Sequence, residues 1–585
     1  MSDSLCTHFQ RRVARNGHQP AVRNADGTVA YTWAQYGAQV RELAAGLVAL
    51  GVRSGDTVGI MLTNRPEFHL VDAAVMHLGA VGFSIYNTSS VNQIAYLLGN
   101  AAPRVLVTES QFLERIREAT TDRAISTVCV DATEPDTIGL DEMIASADPG
   151  FDFDAAWQSI GRDDVLTLIY TSGTTGNPKG VELTHGNLLY QLGVVEEIIG
   201  DLTAGRVVSY LPDAHLINRW LCQYAPMYFG MSVVDVENPK TLIDVLPQVR
   251  PTAFAAVPML WYKIKGSVET TLAAESGIKG ALARWAVAAG RKKAKATIAG
   301  TPLGRVDTLA ATLADKLVLS KLRAKLGLDA IDSAVSGAAP IDVAALEFML
   351  ALGIPVMEAW GMSETSAVTT VNPAARPKYG TVGKAIPGTD VKLAEDGEIL
   401  VRGDGVMRGY RNDPDRTAEV LDGAGWIHTG DVGLLDNEGY LTIIDRKKEL
   451  IINSGGKNMS PSNIEGALKA ASPLVGSVAA IGDNRPYVTA LITLDPDAAA
   501  AFADRHGIAD PTPDTLAKHP EVLAALDEAV TTANGRLSRV EGIRRWKVLP
   551  TFWLPGGDEL TPTMKLRRVP IRDKYAADIA ALYER

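Results

Sequence analysis

The sequence predicts an α/β fold with a large N-terminal domain and a smaller α+β C-terminal domain. The chain has 585 residues, of which 46% are hydrophobic, and a single hydrophobic core rarely serves more than roughly 250–300 residues. Short β-rich runs alternate with helical segments early in the chain, and turn-rich β sequence follows Gly388. Because alternating strands and helices form wound sheets, we expect several subdomains in the larger domain.

The N-terminal region carries the clearest helix and strand patterns. Apolar residues recur at helical spacing between Trp33 and Gly51, and the glycine supplies a stop signal. Runs rich in β-formers begin at Thr57, Arg104 and Ser126, and helical or turn-rich sequence separates them. This order indicates a wound α/β sheet.

The second half of the chain changes character twice. An Ala-, Lys- and Arg-rich stretch at 262–330 predicts helices that lie on the main domain. The later runs DGEILVRGDGVMRGY and EGYLTIIDRKKELIIN predict a β-rich subdomain that ends near Asp445. We therefore place the larger domain at 1–444, a connection at 445–446 and a smaller α+β domain at 447–585.

Composition and charge exclude several classes of protein. The formal charge of −11 and the pI near 5.4 argue against a general nucleic-acid binder, because phosphate backbones are held by clustered Lys and Arg. Cys6, Cys129 and Cys222 have neither metal-ligand spacing nor a paired arrangement, which fits a reducing cytosol. The first twenty residues lack the apolar core of a secretory signal, so we expect no export. The longest apolar stretch, 70–86, is interrupted by charged and polar side chains and favours a buried helix and strand over a membrane span.

The strongest local signal is VLTLIYTSGTTGNPKG, in which an apolar strand from Val165 to Tyr170 runs into a loop of hydroxyls and glycines closed by Lys179. Glycines let backbone N–H groups approach phosphate oxygens, hydroxyls add donors, and the lysine adds positive charge. The spacing is not that of a Walker loop, because Gly180 follows the lysine. An ordinary Gly/Thr turn is the alternative for so short a loop, and the complete string favours the phosphate loop.

Further motifs follow downstream: SGAAP at 336–340, EAWGMSE at 358–364, HTGD at 428–431, DRKKELIINSGGKN from 445 and ELTPTMKLRR from 559. In this order they resemble the adenylate-forming, or AMP-binding, superfamily, and more narrowly the long-chain fatty acyl-CoA synthetases, with GMSE as in the bubblegum-type branch. The resemblance covers nearly the whole chain. It implies ATP-dependent activation of a carboxylic acid as an acyl-adenylate, transfer to coenzyme A, and release of AMP and pyrophosphate.

The resemblance assigns tasks that the side chains are able to perform. Lys565 is expected to bridge the carboxylate and the α-phosphate in the transition state. Glu364 and Thr174 are expected to hold Mg²⁺. Trp360, where most members have tyrosine, offers a flat face for stacking adenine. His215 is counted among the catalytic residues.

The remaining expected contacts concern ribose, coenzyme A and the hinge. Asp431 suits the two ribose hydroxyls, because a carboxylate accepts several hydrogen bonds, and Arg446 adds a ribose or phosphate contact. Asp445 matches the hinge of the family, and the loop at 453–458 is expected to reach the thiol after rotation. The full set of residues expected at ATP and coenzyme A is Thr171, Ser172, Gly173, Thr174, Thr175, Gly176, Lys179, Gly337, Ala338, Ala339, Glu358, Ala359, Trp360, Gly361, Met362, Ser363, Asp431, Arg446, Gly455, Gly456 and Lys457.

A long-chain fatty acid is the expected substrate, because ADKLVLSKLR before SGAAP is similar to the helical insertion of the long-chain enzymes. YLPDAHLINRW keeps their His215 and Arg219 but has Asp213 and Asn218 in place of a leucine and a glutamate. Two alternatives stay open. One is a fatty acyl-AMP ligase that delivers its product to a carrier protein, and the other is a non-catalytic scaffold for lipid binding or uptake.

Basic side chains surround Trp285 in the helical stretch, at Arg284, Arg291, Lys292, Lys293 and Lys295. They form either a membrane-facing patch attracted to anionic lipid or a solvated helix face. We expect a cytoplasmic enzyme. Peripheral contact with the inner face of a membrane is the alternative. The sequence leaves the oligomeric state open.

Overall fold

The structure is a computed structural model that describes residues 3–171, 177–200, 202–452, 458–561 and 564–584. Its strands up to Asp445 and the following residue are β1 Pro20–Arg23, β2 Val29–Thr32, β3 Thr57–Met61, β4 Val81–Ser84, β5 Val105–Thr108, β6 Ser126–Cys129, β7 Ile138–Gly139, β8 Val165–Thr171, β9 Lys179–Thr184, β10 Arg206–Ser209, β11 Ser232–Asp235, β12 Ala253–Ala256, β13 Ser333–Ser336, β14 Val356–Trp360, β15 Thr370–Val371, β16 Lys384–Ala385, β17 Thr389–Leu393, β18 Glu398–Gly403, β19 Gly409–Tyr410, β20 Ile427–Leu435 and β21 Leu441–Arg446. The later strands are β22 Ile451–Ile452, β23 Asn458–Met459, β24 Val475–Ile481, β25 Val488–Leu494 and β26 Ile543–Val548.

The helices alternate with these strands. They are α1 Leu5–Asn16, α2 Trp33–Ala49, α3 Pro66–His77, α4 Val91–Ala101, α5 Leu113–Ala119, α6 Leu140–Ala145, α7 Phe153–Gln158, α8 His185–Ile199, α9 Leu216–Asn218, α10 Ala225–Phe229, α11 Leu242–Val249, α12 Pro258–Ala274, α13 Gly277–Ala299, α14 Arg305–Ala314, α15 Ser320–Leu326, α16 Val343–Ala351, α17 Pro414–Val420, α18 Pro461–Ala471, α19 Pro496–His506, α20 Pro513–Leu516, α21 Pro520–Asn534, α22 Arg568–Lys574 and α23 Ala576–Ala581. Tighter 3₁₀ turns lie at Ser110–Phe112, Pro239–Thr241 and Ser363–Thr365, and wider π-helical turns lie at Arg219–Tyr224 and Asp315–Leu319.

The largest sheet has the strand order β19-β9-β8-β4-β3-β5-β6-β7. The six strands β8, β4, β3, β5, β6 and β7 run parallel to one another. At one edge of the sheet β9 pairs with β8, and β19 pairs with β9, each in antiparallel orientation. Parallel neighbours require crossover connections, which helices such as α3 and α4 provide. Further sheets have the orders β10-β11-β1-β2, β12-β13-β14-β15-β16, β17-β18-β20-β21 and β24-β25-β26.

Buried apolar side chains form separate clusters on the two sides of Asp445. The clusters of the larger part fill the wound sheets and the helical layer, and those of the smaller part surround β24–β26 and the helices beside them. The predicted α/β class with a large N-terminal and a smaller C-terminal domain is thus confirmed. Within the described ranges, none of the helices has both the length and the apolar character needed to cross a bilayer.

The helical stretch predicted at 262–330 contains α12 to α15 and extends in the structure from 258 to 326. These helices and α16 cover one face of β12–β14 through apolar contacts that include Phe254, Trp261 and Val356. The opposite face of the same strands lines an apolar cavity. The sheet therefore separates the helical layer from the cavity.

The π-helical turn Arg219–Tyr224 is held in place by buried charge. Arg219 is only 1% exposed and forms an ion pair with Asp72, which is also buried. The same guanidinium donates to the Ser84 hydroxyl at 3.0 Å and to the Tyr224 hydroxyl at 3.1 Å. Because a buried charge is stable only when it is paired, this contact fixes the turn against α3 and β4.

We expect Arg219→Leu to lower the free energy of unfolding by about 3–5 kcal/mol, because the Asp72 carboxylate would stay buried without its partner. Denaturant titration followed by tryptophan fluorescence measures the loss. The double variant Arg219→Leu/Asp72→Leu should recover part of it. Arg117→Leu, which removes an exposed ion pair with Asp136, is the control and should leave the denaturation midpoint almost unchanged. Equal midpoints for the Arg219 and Arg117 variants would contradict the argument.

Candidate functional site

The predicted phosphate loop connects two paired strands. Thr171 ends β8 and lies directly opposite Lys179, the first residue of β9, in an antiparallel register. The loop residues Ser172, Gly173, Thr174, Thr175 and Gly176 lie outside the described residues. The hairpin therefore fixes both ends of the loop at one edge of the largest sheet.

Lys179 and Glu364 meet at the ring of Tyr410. The Lys179 ammonium lies 4.6 Å from the centre of this ring, and the Tyr410 hydroxyl donates to Oε1 of Glu364 at 2.9 Å. Tyr410 reaches this position because β19 pairs with β9, with Tyr410 opposite Val181. Glu364 is only 7% exposed, so the hydrogen bond orients a carboxylate with little freedom of its own.

Strand β14 carries Glu358, Ala359 and Trp360 into the site. Asn372 donates to the Glu358 carboxyl at 3.2 Å. Burial raises the pKa of Glu358 to about 8, so this carboxyl carries a proton at neutral pH. Trp360 donates from its indole Nε1 to Oδ2 of Asp431 at 2.8 Å. Tryptophan, at a position where most family members have tyrosine, thus supplies an indole N–H donor, and its bond to Asp431 fixes the plane of the indole ring.

Asp431 and Arg446 face each other because β20 and β21 are antiparallel neighbours in which these two residues are register partners. Arg446 Nε lies 2.7 Å from Oδ1 of Asp431, and Asp431 is 6% exposed. Both carboxylate oxygens therefore have one partner each. A carboxylate has about four lone-pair positions, so two remain for a ligand.

Lys565 comes from the C-terminal domain and stands in the cleft beside this cluster. Its backbone closes a tight turn with Thr561, through bonds of 2.8 and 3.0 Å, and the residue keeps part of its surface exposed. Partial desolvation by the surrounding protein and the charge of Arg446 lower the pKa of Lys565, while Asp431 and Glu364 act in the opposite direction. Lysine and carboxylates from both domains therefore share one electrostatic environment.

His215 precedes α9 and is also within the influence of Lys565. Burial, together with the positive charge of Lys565, lowers the pKa of His215 to about 4. One ring nitrogen, Nδ1, accepts from the backbone N–H of Ile217 at 3.3 Å. The imidazole is therefore neutral at physiological pH and acts as a hydrogen-bonding group rather than a charge.

Backbone segments next to β13 and β14 complete the described part of the site. Gly337, Ala338 and Ala339 follow β13, and Ala338 adopts a left-handed conformation with φ of 68°, which favours glycine and is found at functional sites. Gly361 has no room for a side chain, since an added Cβ would lie 1.9 Å from the Ala367 carbonyl oxygen. Met362 and Ser363 continue this tight segment into the 3₁₀ turn that carries Glu364.

Asp445 ties the end of β21 to the start of α18. Its carboxylate accepts from the Ser460 hydroxyl at 2.6 Å and from the Ser462 backbone N–H at 3.0 Å, and it is 5% exposed. The loop residues Gly455, Gly456 and Lys457 lie outside the described residues, and the strands β22 and β23 flank them.

An apolar cavity runs from β14 along α8 to the protein surface. Gln191, near its inner end, donates to the carbonyls of Thr365 and Val368, and Ile198, near its outer end, is 42% exposed. These two helix positions are about 10 Å apart. The lining side chains include Val194, Val195, Ile199, Leu202, Ile217, Trp220, Leu221, Phe229, Met231, Ala255, Val335, Met357 and Ala359.

The sequence did not predict the roles of two polar residues near the site, Tyr410 and Arg568. Tyr410 orients Glu364, and its only signal was the aromatic residue in the turn-rich string RGDGVMRGY. Arg568 forms ion pairs with Glu449 at 2.9 Å and Glu465 at 2.6 Å, immediately after the turn that carries Lys565. Its signal was the basic run after that lysine.

Comparison with known proteins identifies the class to which this fold and site belong. The family described as AMP-binding enzyme matches residues 9–411, and the AMP-binding enzyme C-terminal domain matches residues 448–585. The chain belongs to the AMP-binding enzyme family, as the motifs predicted.

Particular relatives extend over most of the chain. The long-chain-fatty-acid–CoA ligase FadD15 of Mycobacterium bovis is 36% identical over 95% of this chain and 92% of its own length. The long-chain-fatty-acid–CoA ligase ACSBG1 of Homo sapiens is 31% identical over 94% of this chain and 81% of its own. A protein named fadD11 of Mycobacterium tuberculosis is 48% identical over 77% and 79% of the two chains.

Solved structures share the fold at lower identity. The anthranilate CoA ligase AuaEII in complex with anthranoyl-AMP superposes with a TM-score of 0.73 at 19% identity, over 99% of this chain and 98% of that one. The o-succinylbenzoate CoA synthetase MenE of Bacillus subtilis, in complex with its acyl-adenylate intermediate, gives 0.69 at 23% identity, over 97% and 98%.

We expect Tyr410→Phe to lower kcat/KM for Mg·ATP about tenfold, because the Glu364 carboxylate loses the hydroxyl that orients it. Steady-state kinetics at varied Mg·ATP, together with direct nucleotide binding, measures the effect. Tyr228→Phe is a matched control, since the Tyr228 hydroxyl also donates to a glutamate, Glu196, at 2.9 Å but on the surface. Identical kinetics for the two variants would show that the Tyr410 hydroxyl does not orient the carboxylate.

Proposed function

We propose that this protein is a long-chain fatty-acid–CoA ligase, which activates the acid with ATP as an acyl-adenylate and transfers the acyl group to coenzyme A. One observation carries the proposal: Trp360, whose indole donates to Asp431 at 2.8 Å, directly follows Ala359, which lines the apolar cavity, and Lys565 is under the electrostatic influence of Asp431 and Glu364. The names of FadD15 and ACSBG1, which match nearly the whole chain, support the acid and the acceptor.

In the first step the carboxylate oxygen of the acid forms a bond to the α-phosphorus of ATP, and pyrophosphate leaves. The hairpin loop after Thr171 cradles the phosphates, Trp360 stacks on adenine and Asp431 accepts from the ribose. We assign to Lys565 and Arg446 the positive charge that offsets the negative charge growing on the transferring phosphate. Fixed positive charge in a cleft stabilises such a transition state without a protein nucleophile.

The described residues fit a magnesium ion that arrives with ATP. Glu364 presents a buried carboxylate whose Oε1 is bonded to Tyr410, and Mg²⁺ is commonly held by one or two carboxylates together with substrate phosphates. Thr174 would add a hydroxyl. The ion would neutralise phosphate charge, and Glu364, oriented by Tyr410, would hold it beside Lys179.

We assign the apolar cavity along α8 to the hydrocarbon chain. Its lining is almost entirely apolar, and burial of methylene groups contributes about 0.8 kcal/mol each. A partly exposed residue, Ile198, lines its far end, so a chain longer than the cavity would emerge at the surface there. We place His215 beside the carboxylate group of the acid. Its imidazole is neutral, so Lys565 remains the cation that pairs with the carboxylate.

In the second step the C-terminal domain turns about Asp445, which withdraws Lys565 and brings Gly455, Gly456 and Lys457 to the thiol. The sulfur of coenzyme A then attacks the acyl carbonyl and AMP leaves. Rotation requires the Asp445 carboxylate to release Ser460 and Ser462. Hinges of this kind lie at the ends of secondary-structure elements. Asp445 has such a position, because it is the residue before the last of β21.

The enzyme acts in a reducing, cytoplasmic compartment on small molecules: a fatty acid, ATP and coenzyme A. Its three cysteines are free and buried, an arrangement that requires no oxidising environment. The acid itself partitions into lipid, so the enzyme collects it at the inner surface of a membrane by peripheral contact.

A product assay with coenzyme A and a series of acids from C8 to C20 tests the proposed function. We expect acyl-CoA, AMP and pyrophosphate in equal amounts, with the highest kcat/KM at C16 or longer, because longer chains bury more methylene groups in the cavity. AMP release without a thioester would support the alternative of an acyl-AMP ligase that delivers to a carrier protein. A catalytically silent protein that binds the acids would support the scaffold alternative.

Lys565→Ala separates the two half-reactions. We expect acid-dependent ATP–pyrophosphate exchange to fall about 10²- to 10³-fold, because one preorganised positive group is lost at the transferring phosphate. Thioester formation from supplied acyl-adenylate should persist, since Lys565 has left the site in the second step. Lys518→Ala, an exposed lysine of the same domain, is the control. Exchange at the wild-type rate in Lys565→Ala would refute its role in adenylation.

A further inference from the structure

The segment 277–326 has a charge opposite to that of the rest of the chain. It contains eleven Lys and Arg residues and two Asp residues, a formal charge of +9 within a chain whose total is −11. Asp307 already pairs with Lys292 at 3.0 Å, and Asp315 pairs with Arg323 at 2.6 Å. Both acidic side chains are thus neutralised within the segment, which leaves nine basic side chains without an acidic partner inside it.

The outer side of α14 and of the turn after it is apolar as well as basic. Val306, Leu309, Leu313 and Leu317 follow one another at intervals of three, four and four residues, which places them along one side of a helix. They are 81%, 62%, 43% and 47% exposed. The opposite side of α14 packs against the core through small buried residues such as Ala314. The exposed apolar stripe therefore takes no part in the contact with the core.

Helix α13 presents a second stripe beside the first. Ile278, Leu282 and Trp285 are spaced by four and three residues and are all exposed, Ile278 by 88%. The helix packs against α14 and α16, and an added Cβ at Gly290 would lie 2.1 Å from the Ala351 carbonyl oxygen. Contact this close fixes the orientation of α13, so its outer apolar side chains have no route into the core by rotation of the helix.

We infer that the outer faces of α13 and α14, with the turn to Leu317, form a surface that docks on an anionic lipid bilayer. We name it the basic helical surface and define it by its apolar side chains Ile278, Leu282, Trp285, Val306, Leu309, Leu313 and Leu317. Amphipathic helices with Leu and Trp on one face and Lys or Arg around it lie in the headgroup region of membranes.

Charge complementarity selects the bilayer as the partner. Basic side chains near an anionic leaflet are each attracted to it, whereas the remainder of this chain is strongly acidic and is repelled. The opposed charges therefore orient the molecule with the basic helical surface towards the lipid. The inference deepens the proposed function, because a ligase for long-chain acids meets its substrate in a membrane, but the surface exists independently of catalysis.

Vesicle sedimentation of the full-length protein tests the inference. We expect binding to phosphatidylglycerol vesicles, little binding to phosphatidylcholine vesicles, and weaker binding at 0.5 M salt, where screening shortens the range of charge attraction. Ile278→Glu/Leu309→Glu should weaken binding at least about tenfold, since two apolar side chains can no longer enter the lipid. Leu434→Glu is a matched control, because Leu434 is 61% exposed and lies outside this surface, against 62% for Leu309.

Three results would overturn the inference. The first is that the wild-type protein does not bind phosphatidylglycerol vesicles. The second is that Ile278→Glu/Leu309→Glu and the control Leu434→Glu bind the vesicles equally. The third is that the wild-type protein is an oligomer, which Ile278→Glu/Leu309→Glu converts to a monomer without any change in vesicle binding. The last result would assign the stripes to contact between two copies. Ligase activity on acid dispersed in detergent is measured in parallel, and it should be the same in the variant, so failure of the proposed function is distinguished from failure of the surface.

Discussion

The position of Lys565 relative to the carboxylates of the larger domain depends on how the Asp445 carboxylate holds the start of α18. The two domains have separate hydrophobic cores, so no shared core sets their relative orientation. Asp445 bonds to Ser460 and Ser462, and an ion pair between Arg536 and Asp342 at 3.0 Å joins the domains further away. Among the described residues, polar contacts rather than a shared core therefore hold the C-terminal domain, and with it Lys565, beside the carboxylates.

The strand that carries this joint also carries part of the site. Arg446 follows Asp445 in β21 and is the register partner of Asp431 in β20. Asp431 in turn fixes the indole of Trp360, so a chain of three direct contacts runs from the joint to the surface proposed for adenine. A change of backbone angles at Asp445 would act on Arg446 first. Adjacent residues of one strand thus connect the proposed nucleotide site with the C-terminal domain.

The sequence predicted what depends on local strings and missed what depends on distant pairing. The hairpin around the phosphate loop follows from an apolar strand, glycines and a lysine within sixteen residues, and the α/β class follows from the alternation of helices and strands. The bond from Tyr410 to Glu364 spans 46 residues, and that from Trp360 to Asp431 spans 71. The first depends on the pairing of β19 with β9, and the second joins strands of two different sheets, which no local pattern specifies. The local string predicts Trp360 as a stacking surface for adenine, and the structure adds the bond from its Nε1 to Asp431.

The helical layer on β12–β14 performs two tasks that require different residues on its two sides. Towards the sheet, α13 presents small residues such as Ala286 and Gly290, which allow close approach to α16 and complete the core. Away from the sheet, leucines and a tryptophan remain in water between basic side chains. Exposed apolar stripes of this size are unfavourable in a free monomer, and the core gains nothing from them because its packing is already complete. A partner that is both apolar and anionic would relieve this exposure, and one sheet would then lie between the layer proposed to face lipid and the cavity proposed for the acyl chain.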